Sequence, residues 1–166
     1  VAGRIGRGLA VGVLKRRIAY DGATAVKAVY GSLCATQTET LRLSVISALQ
    51  SVSLGHGMAL PPSPLPGHPE RFRLVILPGF SDAGCRFSLR GHVPPAQAWV
   101  DPARAEQTRD WVIAAHEAGA SVIALGSATF FLAWTGLLDG AQATTGPEFC
   151  TTLAVSYPHV RVQTNV

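Results

Sequence analysis

Apolar residues along the chain fall into two alternating patterns. Leu9–Leu14, Leu41–Ile46 and Phe72–Leu77 are short apolar, β-branched runs of strand length, the third the clearest. Between the first two, Ala23–Thr36 has room and composition for a helix. From Pro102 the period becomes helical: Trp111, Ala114, Ala115 and Ala118 share one face, opposite Arg109, Asp110 and Glu117. Asp101 before Pro102 marks the start of that helix and Gly119 its stop. Beyond it the order is a buried strand at Ala120–Leu125, a helix at Ser127–Thr135 and a turn at Gly136–Gly140. A short strand at Ala141–Thr144, a helix at Pro147–Tyr157 and a strand starting at Val160–Gln163 complete the series. Ser51–Glu70, rich in Pro, Gly and Ser, and Ser81–Val100 read as irregular. Alternation of this kind predicts an α/β fold: a mostly parallel sheet with helices on both faces.

One stretch competes with that reading. Ala118–Leu138 carries no charge over about 21 residues, long enough for a membrane-spanning helix. Gly119, Gly126 and Gly136 interrupt it, however, and a buried strand followed by a helix that covers the sheet yields the same apolar run. The strand–helix reading is preferred, and no membrane partner is expected.

Length and composition agree with one domain spanning residues 1–166. With 48% hydrophobic and 14% charged residues, this is the reverse of a disordered chain. The formal charge of +4 is a weak pointer to acidic partners and does not establish nucleic-acid binding. Cys34, Cys85 and Cys150 are odd in number and widely spaced, as reduced thiols in a cytoplasmic protein are. The basic segment Val1–Arg17 has too short an apolar core for a secretory signal. His56, His68, His92, His116 and His159 show no metal-ligand spacing, so neither a metal nor another cofactor is expected. Trp99, Trp111 and Trp134 read as core or interface aromatics.

Candidate chemistry concentrates where strands end. In parallel α/β sheets ligands bind beyond the carboxyl ends of the strands. Leu125–Ala128 is such a strand-to-helix junction, and Pro78–Phe80 is the turn after the strand beside it. An enzyme with a nucleophile elbow would carry Cys or Ser at the tip of that junction. Here the tip is Gly126, and the neighbouring Ser127 is expected to cap the helix that follows.

Leu74–Gly79, Trp111–Gly119, Ala120–Ala133 and Gly136–Thr145 together resemble the DJ-1/PfpI superfamily, which is class I glutamine amidotransferase-like. The likeness is closest to the amino-terminal domain of regulators that join this domain to an AraC-type helix-turn-helix. It runs in register from about residue 72 to Val162 and implies a flavodoxin-like three-layer sandwich. Before residue 72 it rests on element order and on the Asp21–Gly22 loop.

Aligned on Gly136–Gly140, the resemblance places Gly126 where the family's elbow cysteine stands, and Gly146 where many members carry histidine. The acidic residue of active members would fall near Val26 or Lys27. It therefore implies a pseudoenzyme: a ligand-sensing, dimer-forming domain of a transcription regulator, with no catalytic residues. Gly79, Phe80, Gly126, Ser127, Ala128 and Gly146 are the expected pocket for a small-molecule effector, and the backbone N–H groups of Ser127, Ala128 and Gly79 are donors that can bind a carboxylate or other anion. DNA would be reached only through a helix-turn-helix beyond Val166, where the domain's closing part is also expected. The alternative in the same superfamily is an enzyme working through Ser127 or Cys85.

Overall fold

The computed structural model describes residues 8–12, 43–46, 52–55, 58–60, 63–77, 79 and 102–164. Strands β1 (Gly8–Gly12), β2 (Leu43–Ile46), β5 (Phe72–Leu77) and β6 (Ser121–Ala124) form one sheet in the order β2-β1-β5-β6, with every adjacent pair parallel. β2 lies to one side of β1 and β5 to the other. The strand order therefore reverses at β1, which places the fold's switch point between the ends of β1 and β5.

The segment that reads as irregular holds an antiparallel ladder, β3 (Val52–Gly55) with β4 (Met58–Leu60). Its strands are only four and three residues long, too short for alternation to stand out among the surrounding Gly, Ser and Pro. The helix expected at 23–36 lies outside the described residues.

Helix α1 (Pro102–Glu117) follows the predicted span, but its buried face differs from the predicted one. Ala105, Thr108, Trp111, Val112 and Ala115 are buried, Ala114 is half-buried and Ala118 is exposed. Trp111 sets this rotation. Its Nε1–H donates to the Pro66 carbonyl at 2.7 Å, and its ring meets Phe72 edge-on at 5.3 Å. Thr108 is accommodated on the buried face because its hydroxyl donates to the Arg104 carbonyl at 2.8 Å within the helix. The helix stops as expected at Gly119, whose φ of +95° suits a residue without Cβ. Two bonds close the end, Gly119 N–H to His116 O at 2.8 Å and Ala120 N–H to Ala115 O at 2.9 Å, the pairing of a Schellman cap.

The long uncharged run divides into β6, a turn at Leu125–Ser127 and the seven-residue helix α2 (Ala128–Trp134). Among the described residues no helix is long and apolar enough to cross a membrane, so the spanning alternative falls. Neither is β6 buried on both faces. Ile123 is 41% exposed, and β6 is the edge of the sheet among the described residues, whereas Val75, Ile76 and Leu77 of β5 are all essentially buried. After a turn at Gly136–Gly140, β7 (Gln142–Ala143) pairs in parallel with β8 (Arg161–Val162). Between them a 3-10 turn at Pro147–Phe149 leads into helix α3 (Cys150–Ser156). The strand expected at 160–163 is therefore present.

Candidate functional site

β5 and β6 run in register from Leu74–Ser121 to Leu77–Ala124, and Leu125 N–H extends the ladder by donating to Leu77 O at 3.0 Å. Both strands thus deliver their last residues to one edge of the sheet. Gly79 is buried there against the second junction. A Cβ on Gly79 would stand 3.1 Å from Leu125 O, 3.6 Å from Ser127 Oγ and 3.8 Å from Ser127 N. The nearest of these atoms is backbone and cannot swing aside, so a side chain at 79 would push the two junctions apart. Gly79 and Ser127, far apart in sequence, are thereby brought together.

The turn between β6 and α2 is sharp. Gly126 has φ +54°, a conformation glycine adopts freely and most other residues resist. Its carbonyl is held from behind by two donors, Thr129 N–H at 3.1 Å and the Thr145 hydroxyl at 3.1 Å. Its front is open: Gly126 is exposed, and a Cβ there would meet nothing within 4 Å among the described residues. A second threonine braces the same helix, as buried Thr129 donates to Thr144 O at 3.0 Å. The Thr144–Thr145 pair is thus the strut between the strand-to-helix turn and the carboxyl-terminal strands. In the sequence these threonines enter only as the end of the Gly136–Thr145 resemblance; two adjacent hydroxyls preceding a glycine are the available signal.

The expected donors fare unequally. Ala128 N–H is engaged in the turn, donating to Leu125 O at 3.1 Å. Ser127 sits in helical conformation (φ −62°, ψ −18°) and its side chain makes no capping hydrogen bond to α2, contrary to expectation. With φ and ψ already helical, Ser127 lacks the extended geometry that a side-chain cap uses.

Gly146 opens the 3-10 turn Pro147–Phe149 directly after Thr145. It carries the least expected feature of the site. A Cβ at Gly146 would lie 2.9 Å from Glu148 Oε1 and 3.1 Å from both Cδ and Oε2. The Glu148 carboxylate has folded back over the space a side chain at 146 would occupy. Cys150 is a free, buried thiol with Sγ 3.6 Å from Gly146 O. Phe80, Cys34, Cys85, Val26 and Lys27 lie outside the described residues. Among the described residues no three His, Cys, Asp or Glu side chains gather as metal ligands would.

The order of the parallel sheet and the glycine turn after β6 define a flavodoxin-like α/β fold of the DJ-1/PfpI type. Solved structures share it. An AraC family transcriptional regulator from Pseudomonas putida superposes with a TM-score of 0.67 at 16% identity, over 93% of this chain and 75% of that one. A DJ-1 superfamily protein from Agrobacterium tumefaciens superposes with a TM-score of 0.62 at 13% identity, over 94% of this chain and 73% of that one. DJ-1beta of Drosophila melanogaster gives 0.60 at 15% identity, over 96% of this chain and 75% of that one. No protein-family profile and no curated protein sequence matches the chain.

Proposed function

We propose that this chain is a non-catalytic, small-molecule-sensing and dimer-forming domain of a cytoplasmic transcription regulator, with DNA contacted through a helix-turn-helix module joined to it. The observation that carries the reading is the turn at Gly126. It keeps the positive-φ corner on which a nucleophile elbow displays its side chain, yet bears no side chain and opens to solvent. In this reading Gly126 stands where the superfamily's elbow cysteine does and Gly146 where its histidine does. Covalent catalysis needs an activated nucleophile, and neither glycine supplies the thiolate or the base. The shared fold with an AraC family regulator supports the regulatory side of the proposal.

The effector would seat over Gly126, in a site that Gly79, Phe80, Ser127, Ala128 and Gly146 are proposed to line. A ligand that binds only the folded state raises the unfolding temperature by mass action. Thermal unfolding is therefore followed against a library of small metabolites, for the wild type, Gly126→Asn and Gly126→Phe. Asn tolerates positive φ, so it reports backbone strain alone, while Phe also fills the open face. A shift that survives Asn and vanishes with Phe supports the site. A shift that survives Phe places the ligand elsewhere, and hydrolytic or hydratase turnover by the wild type would overturn the non-catalytic reading.

A further inference from the structure

We infer that Thr144 and Cys150 form a hydrogen-bond switch that couples the turn at Gly126 to the end of β8, so that a change at the site alters how firmly residues 161–163 are held. The inference rests on the proposed sensing role, in which the module that contacts DNA follows β8. It names the route by which the site would act on that module.

Two adjacent side chains serve the two ends of this route. The Thr145 hydroxyl donates to Gly126 O at 3.1 Å, and the Thr144 hydroxyl donates to Gln163 O at 2.8 Å. The peptide unit between them is planar and rigid, and its carbonyl, Thr144 O, is pinned to α2 by the Thr129 hydroxyl at 3.0 Å. A shift of the Gly126 turn is therefore passed to Thr144 across a single stiff unit.

Both donors at the β8 end have a second acceptor in reach. The Thr144 hydroxyl has one hydrogen to donate, with Thr145 O at 3.5 Å as the longer alternative to Gln163 O. The buried Cys150 thiol also has one hydrogen, and three carbonyls surround its Sγ: Gly146 O at 3.6 Å, Thr145 O at 3.8 Å and Gln163 O at 3.9 Å. Each donor can thus serve Gln163 or the Thr145–Gly146 side, and its hydrogen is used in either arrangement. A coupling element needs just such a pair of discrete states. β8 is short enough for one bond to matter. Its ladder to β7 spans two residues, with Arg161 N–H donating to Ala141 O at 2.9 Å and Gln163 N–H to Ala143 O at 2.8 Å.

The test needs no ligand. Amide exchange at Arg161 and Gln163 is followed by NMR in the 166-residue chain relative to exchange at 75–77, so that a global loss of stability cancels. Thr144→Val, which removes the bond to Gln163, should speed Gln163 exchange about five-fold, the weight of one net hydrogen bond. Cys150→Ala should speed it roughly two-fold, since a thiol is the weaker donor. Thr145→Val removes a hydroxyl that holds Gly126 and not β8, yet it should speed Gln163 exchange about two- to three-fold, a part of the direct effect. Thr145→Ser, which keeps the hydroxyl, should leave it at the wild-type rate. In the double variant of Thr144→Val with Thr145→Val the two effects should not multiply, because one acts through the other. Should Thr145→Val not fold, Gly126→Phe disturbs the same turn from its open side and is expected to raise Gln163 exchange by a similar factor. Gln163 exchange that ignores changes at Thr145 and Gly126, or effects that simply multiply in the double variant, overturns the coupling. Coupling without any metabolite bound over Gly126 would leave the switch standing and sink the sensing role, and a ligand shift abolished by Gly126→Phe without coupling would do the reverse.

Discussion

The two sides of the helix Ala128–Trp134 face two different cores. Ala128, Phe131 and Leu132 join the larger one, built on the parallel sheet with Ile46, Phe72, Val75 and Leu77 and roofed by Trp111, Val112 and Ala115 of α1. Phe130 and Ala133 join a smaller one with Leu153 and Val160. There Phe130 meets Phe149 and Tyr157 edge-on, with ring centroids 6.4 and 6.5 Å apart. Successive residues on a helix point about 100° apart, so Phe130 and Phe131 serve separate clusters. The difference explains the apolar run that resembled a membrane span: a helix buried on two sides has no polar face to show.

Phe131→Ala tests the larger core and should have the largest effect, about 3–5 kcal/mol of lost stability by denaturant unfolding. Leu153→Ala in the smaller core should cost somewhat less, about 2–4 kcal/mol. Its hydrogen-exchange pattern is the sharper readout. Amides of residues 142–162 should lose protection while those of 72–77 keep theirs, and equal loss in both regions would show that the two clusters unfold as one.

Thr129→Val acts on the seam between them. It removes the hydroxyl that binds Thr144 O and leaves that carbonyl short of a partner, at about 1–2 kcal/mol. The same variant should loosen the Thr145 strut, so its effect on ligand binding over Gly126 ought to exceed that of an equally destabilising change in the larger core.

The smallest effect is at Glu70, on the exposed edge of the larger core. A hydrogen bond from its own backbone, with His68 Nδ1 at 3.1 Å, lowers its carboxyl below the ordinary glutamate range. Because the folded value is the lower one, the stabilisation is complete above the unfolded value of about 4.3 and is lost as pH falls through the folded value. Glu70→Gln should flatten that acid limb of the stability curve by removing, at neutral pH, the small stabilisation the ionised carboxylate supplies, so the two proteins converge in stability at low pH.

Much of the fold was legible because strands and helices here carry strong local signals. Phe72–Leu77 was read residue for residue, and Pro102 and Gly119 bracketed α1 correctly. The rotation of α1 was not, because Ala114 and Ala118 are as compatible with one face as Ala105 and Val112 are. The choice was made by Trp111 reaching Pro66, a contact 45 residues away. β6 was read as buried on both faces from composition alone, whereas exposure depends on what lies alongside it, and Ile123 has an open flank. At the site, Gly126 and Gly146 were picked out from the resemblance. The Glu148 carboxylate over Gly146 escaped notice because an acid at the start of a helix is ordinary.

By itself the sequence determined the elements, their α/β alternation and the glycine at the strand-to-helix turn, since these follow from hydrophobic period, capping residues and backbone freedom, which act within a few residues. Only the tertiary structure decided which face each element buries, that Gly79 and Ser127 meet, and that Thr145 reaches back to the Gly126 carbonyl. Those outcomes depend on atoms distant in the chain sharing one volume, and no local pattern records which of them will.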